Sequence, residues 1–539
     1  MIRTGGQIVV DQFSAEGVER VFCVPGESYL PVLDAFYDVR ERIDLISCRH
    51  EGGAAMMAAA SGQLSGMPGV AFVTRGPGAT NASIAVHIAQ QGSMPMVLCV
   101  GQVPRCDLGR EAFQEIDLEA FFHPISKAVR QVDDVSAVAE AVMNGFDVAR
   151  SGRRGPVVLI FPEDVLRASV ESNVLKPQSP HNRELYPEAI AAIGHQLEKA
   201  QRPLLIVGGG YWTEESRERL HRFVDARQIP VYAAWRRLDI VDQNNPCYAG
   251  CLGLNTPEEA WERVARADCL LVIGARLDEP TTNSYQVPSV DRKGQILIHV
   301  YEDEAQIGRN FKPDIASPAS IENIGVLFER LTPSIQYPRD DWCAGARVEF
   351  LSQERVLFDD SPLDLGRVMA DLNKGVSTDA IVTVDAGNFT VWPQRYRRYS
   401  RPGRFLAPIN GAMGYGFPAA IAASLAYPKR TVIGCAGDGG MLMTGMEMAT
   451  AIKYGAKPII LVFNNCEYGT IAMHQQRTYP GREIGNDLTN PDFVALARSF
   501  GAFGLRVERT AEFSGALEQA LAADTVALIE LAMNSRTIE

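Results

Sequence analysis

No run of about 18 apolar residues occurs in this chain of 539, so no segment of it is built to cross a bilayer as a helix. Net positive charge is missing as well. The chain has 52 Lys and Arg against 65 Asp and Glu, a balance of −13. An acidic surface repels phosphate backbones and argues against nucleic-acid binding. Zinc-type cysteine patterns are also absent. Ten cysteines are present, but none form a CxxC pair, and Cys247 and Cys251 have no nearby histidine to complete a set. Most sit among aliphatic neighbours, as in Val97-Leu98-Cys99-Val100, and read as small buried hydrophobes. No apolar signal core follows Met1-Ile2-Arg3-Thr4-Gly5-Gly6, so the expected location is the cytoplasm. What is present is ordinary globular material, 46% apolar and 22% charged, enough for about three or four domains.

Short β-rich apolar runs alternate with helical stretches along the whole chain. Strands are expected at Val21–Val24, Ile43–Cys48, Val70–Val73, Met96–Val100, Val157–Phe161, Leu204–Val207, Cys269–Ile273, Ile296–Val300, Ile381–Val384, Thr431–Cys435, Ile459–Phe463 and Val526–Leu531. Ala-rich helical stretches such as Gly52–Leu64 and Pro418–Ala426 lie between them. Continuous rather than alternating apolar strands, separated by helices, predict parallel sheets covered on both faces. The polar, Pro-containing segments Ser169–Pro187 and Leu331–Trp342 read as linkers. The fold class is therefore α/β, with three doubly wound parallel-sheet domains at 1–168, 188–332 and 350–539.

The chemistry-bearing residues gather near the two ends. Gly437-Asp438-Gly439-Gly440 follows a strand and opens a helix expected to reach about Tyr454, and the next strand ends at Asn464-Asn465. In a βαβ unit both strand ends point the same way, toward the edge where open α/β sheets bind ligands. A carboxylate beside an amide oxygen suits a hard divalent cation that completes its shell with phosphate oxygens, which describes Mg²⁺. The glycines let backbone N–H groups approach a diphosphate, and the helix N-terminus favours its charge. Near the other end, Arg49-His50-Glu51 leads into Gly52-Gly53-Ala54-Ala55, where small residues leave room for a ring to pack beside Glu51.

The GDGG…NN pattern resembles the diphosphate motif of thiamine-dependent enzymes. Further matching stretches extend the resemblance to the acetolactate synthase (acetohydroxyacid synthase) large-subunit family over nearly the whole chain. They are Val24-Pro25-Gly26, Arg49-His50-Glu51, Gly76-Pro77-Gly78-Ala79-Thr80-Asn81, Ala112-Phe113-Gln114-Glu115, Gly274-Ala275-Arg276 and Gly411-Ala412-Met413-Gly414-Tyr415-Gly416. The resemblance implies a pyrimidine-binding, a central and a diphosphate-binding domain, with thiamine diphosphate and Mg²⁺ as cofactors. It makes Asp438 and Asn465 side-chain metal ligands and Glu467 a backbone-carbonyl ligand. Glu51 would hydrogen-bond the aminopyrimidine and promote activation of the thiazolium carbon. Met413 would be the apolar wedge that bends the cofactor. Gly26, Asn81, Gly387, Asn388, Gly411, Gly437, Gly439, Gly440, Tyr468, Gly469 and Thr470 would complete the cofactor site. Phe113 and Gln114 match synthase pocket residues, with Gln114 counted among the catalytic groups.

The implied reaction decarboxylates a 2-oxo acid such as pyruvate and joins the remaining unit to a carbonyl acceptor. It would take place in a homodimer or homotetramer whose active sites lie between chains. Three positions depart from the synthase pattern. Glu27 follows Gly26 where Gly is usual and is a candidate for proton transfer, Arg75 stands where Ser is common, and His474 stands where an acceptor-selecting Trp is frequent. These departures keep a non-ligating 2-oxo acid decarboxylase open as an alternative, with a non-catalytic cofactor-binding partner as a second. Gly208-Gly209-Gly210, Gly274-Ala275-Arg276 and His299-Val300-Tyr301-Glu302-Asp303 correspond to segments that hold FAD in synthases and ADP or nothing in other relatives. FAD stays open on that basis.

Overall fold

The protein, represented by a computed structural model, is described over residues 1–179, 183–289, 291–292, 294–332, 340–354 and 361–533. It divides into two compact units. One comprises 1–180, 382–389 and 406–539, and the other 181–381 and 390–405.

Three six-stranded α/β sheets organise the chain. In the first, strands Asp44–Ser47, Arg20–Cys23, Gly69–Val73, Met96–Gln102, Pro156–Pro162 and Ala128–Gln131 lie side by side in that order, all parallel. The second runs Tyr248–Cys251, Val231–Ala233, Pro203–Val207, Cys269–Ile273, Ile296–Tyr301, Ile315–Pro318, again parallel throughout. The third begins at the edge strand Arg404–Leu406 and continues Ile381–Val384, Val432–Gly437, Ile459–Asn464, Ala527–Ala532, Phe503–Val507. Central strands such as Gly69–Val73, Cys269–Ile273 and Ile459–Asn464 are buried along their whole length. That is the physical meaning of their unbroken apolar runs.

Local departures from expectation have local causes. The strand expected at Val21–Val24 is Arg20–Cys23, and the one expected at Thr431–Cys435 is Val432–Gly437, so the first glycine of GDGG still belongs to the strand. The helix expected to continue to Tyr454 is α-helical over Asp438–Thr444, tightens to a 3₁₀ turn at Gly445–Glu447, and resumes over Met448–Tyr454. Ser169–Glu171, at the head of the expected first linker, is a short strand pairing antiparallel with Ile2–Thr4. Residues 180–182 of that linker, and 333–339 of the second, lie outside the described residues. Seven of the ten cysteines are buried, Cys251 is half-buried, and Cys106 and Cys466 are exposed.

The helix Glu51–Ser65 is buried nearly all round and has no polar stripe. It packs on strand Gly69–Val73 on one side and on the helix Gly416–Ala426 on the other. Glycines permit the first approach. A Cβ on Gly69 would sit 1.9 Å from the Ala58 carbonyl oxygen, and one on Gly62 would sit 1.9 Å from that of Pro95.

Candidate active site

The C-terminal ends of the third sheet open into a cleft of about 210 Å³. It is lined by Gly387, Asn388, Gly411, Met413, Gly437, Asp438, Gly439, Gly440, Asn465, Glu467, Tyr468, Gly469 and Thr470, together with Ala386, Phe389, Phe463 and Ile471. Every position expected to hold the diphosphate end of a cofactor therefore meets in one place, at the crevice where open α/β sheets take ligands. Asp438 and Asn465 reach it because strands Val432–Gly437 and Ile459–Asn464 are parallel neighbours, with Gly437 in register with Phe463.

The glycines are sterically required. A Cβ on Gly440 would lie 2.1 Å from Asp385 Oδ2, one on Gly439 would lie 2.6 Å from the Tyr468 ring, and one on Gly469 would lie 2.9 Å from Asn465 Nδ2. Asn388 N–H donates to Thr470 Oγ1 at 2.9 Å, tying the Gly387-Asn388 loop to the helix Gly469–Thr478.

Asp438 is buried, and burial pushes its carboxyl above the usual carboxylate range. Hydrogen bonds oppose this, first from the Asn490 amide and then from Gly439 N–H. Asn490 Nδ2 donates to Asp438 Oδ2 at 2.7 Å and to Asn464 Oδ1 at 2.9 Å, while Asn464 Nδ2 donates to buried Glu530 at 2.7 Å. A relay Glu530–Asn464–Asn490–Asp438 thus fixes the carboxylate from behind. Asp385, also buried, accepts from the N–H groups of Ala386 and Tyr415 at the floor of the cleft. Asn490, Glu530 and Asp385 went unread in the sequence. Asn490 belongs to a loop far along the chain and carries no motif, whereas Asp385 could have been singled out by its place directly after the strand Ile381–Val384.

A second cluster forms on the first sheet. Asn81 Nδ2 donates to Glu51 Oε2 at 2.9 Å, bringing two expected residues together at the edge of the domain. Glu51 is the first residue of its helix. The His50 ring caps that helix by accepting from Gly52 N–H at 3.0 Å. The small residues after Glu51 also admit close protein neighbours. A Cβ on Gly52 would meet the His50 cap at Nδ1, 3.0 Å away, and one on Gly53 would meet the carboxylate of Glu447 at 2.5 Å. Buried Glu447, in turn, accepts from Arg49 and His50 N–H and from the Thr450 hydroxyl.

Gly76 N–H donates to the Gln114 carbonyl at 2.9 Å, which brings the Phe113-Gln114 loop onto the start of the helix Gly76–Gly92. Phe113 itself is 76% exposed. Glu27 is exposed on the 3₁₀ turn Glu27–Tyr29, its backbone pinned by Ser28 Oγ against Thr74 Oγ1 at 2.8 Å and by Gly26, whose Cβ would strike Thr74. Arg75 is committed to an ion pair with Glu163 at 2.9 Å. Phe113, Gln114, Glu27 and exposed His474 are not among the residues lining the diphosphate cleft.

In the central unit Gly208 and Gly209 pack closely against neighbouring loops. A Cβ on Gly208 would touch Ala234 and Ala275 within 3 Å, and one on Gly209 would lie 2.4 Å from the Gly274 carbonyl. Among the described residues no helix is long and apolar enough to cross a membrane.

Comparison with known proteins agrees with this layout. Residues 3–121 match the family described as thiamine pyrophosphate enzyme, N-terminal TPP binding domain. Residues 190–325 match its central domain, and 385–531 its C-terminal TPP binding domain. The acetolactate synthase large subunit of Parasynechococcus marenigrum is 31% identical over 98% of this chain and 87% of its own length. The large subunit of acetolactate synthase isozyme 2 from Escherichia coli is 31% identical over 98% and 95%. The mitochondrial catalytic subunit of Saccharomyces cerevisiae is 30% identical over 99% and 81%. With three parallel α/β sheets, the gathered glycine cleft and full-length relatives of this kind, the chain belongs to the thiamine-pyrophosphate-dependent enzymes, in the acetolactate synthase large-subunit family.

Proposed function

We propose that the chain binds thiamine diphosphate with Mg²⁺, decarboxylates a 2-oxo acid of the pyruvate class, and joins the remaining fragment to a carbonyl acceptor. The observation that carries this reading is the Asp438–Asn465 pair at adjacent parallel strand ends, inside a cleft whose glycines bring backbone close. The donor set fits the metal. One carboxylate, one amide and the Glu467 carbonyl are all oxygen ligands, and among the described residues no cluster of three or more His, Cys, Asp or Glu competes for a softer ion. Asp438, Asn465 and Glu467 would hold Mg²⁺. The Gly437–Gly440 turn, the Gly387-Asn388 loop and Tyr468–Thr470 would hold the diphosphate, with Met413 against the rings. When bound, the cofactor would supply a carbon nucleophile able to add to the carbonyl carbon of the 2-oxo acid. Glu51, its carboxylate oriented by Asn81, would stand at the pyrimidine end, where it could hold a proton for the ring.

Domain bounds of 1–168, 188–332 and 350–539 belong to the same proposal, as does a homodimer or homotetramer in which Glu51 of one copy serves the cleft of another. The half-open Glu51–Asn81 pair and the exposed Phe113 support that arrangement. The ten free thiols suit a reducing, cytoplasmic setting. A flavin in the central domain stays open, and the absorbance spectrum of the purified protein decides its presence.

Acid-quench NMR of the bound cofactor across a panel of 2-oxo acids, with and without an aldehyde acceptor, tests the reaction. Adducts that persist until acceptor arrives support ligation, and consumption of no 2-oxo acid refutes the proposal. Glu27 favours the non-ligating alternative. If it protonates the reacting carbon, Glu27→Gln shifts products from aldehyde toward ligation, and an unchanged product ratio removes that alternative.

A further inference from the structure

The turn that launches the Glu51 helix is held from the C-terminal half of the same chain. Tyr454 Oη accepts from Ser47 N–H at 2.8 Å and donates to the Leu45 carbonyl at 3.1 Å, pinning the strand that leads in. Two residues further on, Glu447 Oε1 accepts from His50 N–H at 2.9 Å and from Arg49 N–H at 3.1 Å, while Oε2 takes Arg49 N–H at 3.3 Å and the Thr450 hydroxyl at 2.5 Å. The Gly53 backbone closes on the same carboxylate from the helix side, where only glycine fits. Glu447 sits at the end of the 3₁₀ turn Gly445–Glu447, which interrupts the helix that begins at Asp438. A buried carboxylate facing backbone donors is costly unless each bond is made. Here the bonds fall on the two residues immediately before Glu51.

We propose that Glu447 is a positioning residue, which fixes the backbone from which Glu51 projects and so couples the geometry of the diphosphate-binding domain to the orientation of the activating carboxylate. This inference rests on the reading of Glu51 given above. It follows that cofactor capture and cofactor activation are separable in this chain. Asp438 and its neighbours govern the first, and the Glu447 clamp governs the second by keeping Glu51 within the tolerance that proton exchange demands. Displacements near 1 Å in such a group cost about a hundredfold in rate.

The test compares full-length Glu447→Gln, Glu51→Gln and the double variant. Thiamine diphosphate affinity is read by fluorescence titration in Mg²⁺, and hydrogen–deuterium exchange at the thiazolium C2 of the bound cofactor by quenched NMR. Glu447→Gln is expected to hold affinity within about threefold while slowing exchange about ten- to a hundredfold. The double variant should exchange no more slowly than Glu51→Gln alone, because the clamp acts only through Glu51. Should Glu447→Gln not fold, Glu447→Asp retains the charge but draws the carboxylate back by one methylene, and slowed exchange at normal affinity is expected there too. Normal exchange in the folded Glu447 variant overturns the proposal, as does a double variant whose losses multiply. If Glu51→Gln itself exchanges normally, the reading of Glu51 fails instead, which separates the two failures.

Discussion

Replacing Asn490 with alanine removes the side-chain donor to Asp438 Oδ2, a bond of 2.7 Å to a buried carboxylate, together with a 2.9 Å bond to Asn464. A hydrogen bond to a charged group contributes about 1.5–3 kcal/mol. Groups that orient a metal ligand typically govern about ten- to a hundredfold in metal affinity. Asn464 keeps its bond to Glu530 and still accepts from Cys466 N–H at 3.2 Å, so half of the relay survives and the lower end of that range applies. The expected result is Mg²⁺ half-saturation raised about tenfold at saturating thiamine diphosphate, measured by titrating metal into chelator-treated protein. Asn490 is half-exposed and fills no core space, so the metal-free protein should still fold, its stability lowered by no more than the about 1.5–3 kcal/mol of the lost bond. Half-saturation within about twofold of the parent protein would refute the idea that the relay orients Asp438.

Gly440→Ala drives a methyl group into Asp385, so cofactor binding should be lost in a protein that still melts cooperatively, read by titration alongside calorimetry. Gly69→Ala places its methyl 1.9 Å from a backbone oxygen that cannot swing away, and a loss of about 1–3 kcal/mol or more is expected in denaturant titration. Burial pushes His221 down to about 4, and its Nε2 accepts from Asp242 N–H at 3.0 Å. The unfolded chain therefore takes up a proton below about 6.5 that the folded chain refuses, and stability falls between about pH 6.5 and 4 by up to roughly 3 kcal/mol. Glu354, pushed up to about 7 by burial, works in the opposite direction over part of that window. The His221 contribution is thus read as the difference in urea midpoints between parent and His221→Gln across pH 7 to 5.

What the sequence exposed of the site was its local part. Asp438 and Asn465 stand at the ends of apolar runs, so strand–helix–strand spacing alone brings them to one edge of a sheet. Asn490 could not be found that way. Its partners are Asp438 and Asn464, and its position depends on how the loop after Tyr479 folds back. Glu447 reads as an ordinary helix-surface acid until the helix breaks at Gly445 and turns it toward residue 50. At Gly52 and Gly53 the small residues announce close approach without saying what approaches, and the His50 ring and the Glu447 carboxylate are among what does. Strand boundaries moved by one or two residues where Arg20 and Gly437 joined the ladder through backbone bonds that side-chain character does not reveal.

The all-round burial of the Glu51–Ser65 helix also carries a consequence for biosynthesis. One of its faces is covered by strands made within the same stretch of chain, but the other waits for Gly416–Ala426. That partner emerges from the ribosome roughly 350 residues later, a delay on the order of tens of seconds at about 5–20 residues per second. Throughout that interval a nascent domain shows an alanine- and methionine-rich surface with no charge to keep it apart from its neighbours. Yield in the cell should therefore depend on translation speed and holdase capacity more strongly than the stability of the finished protein would suggest.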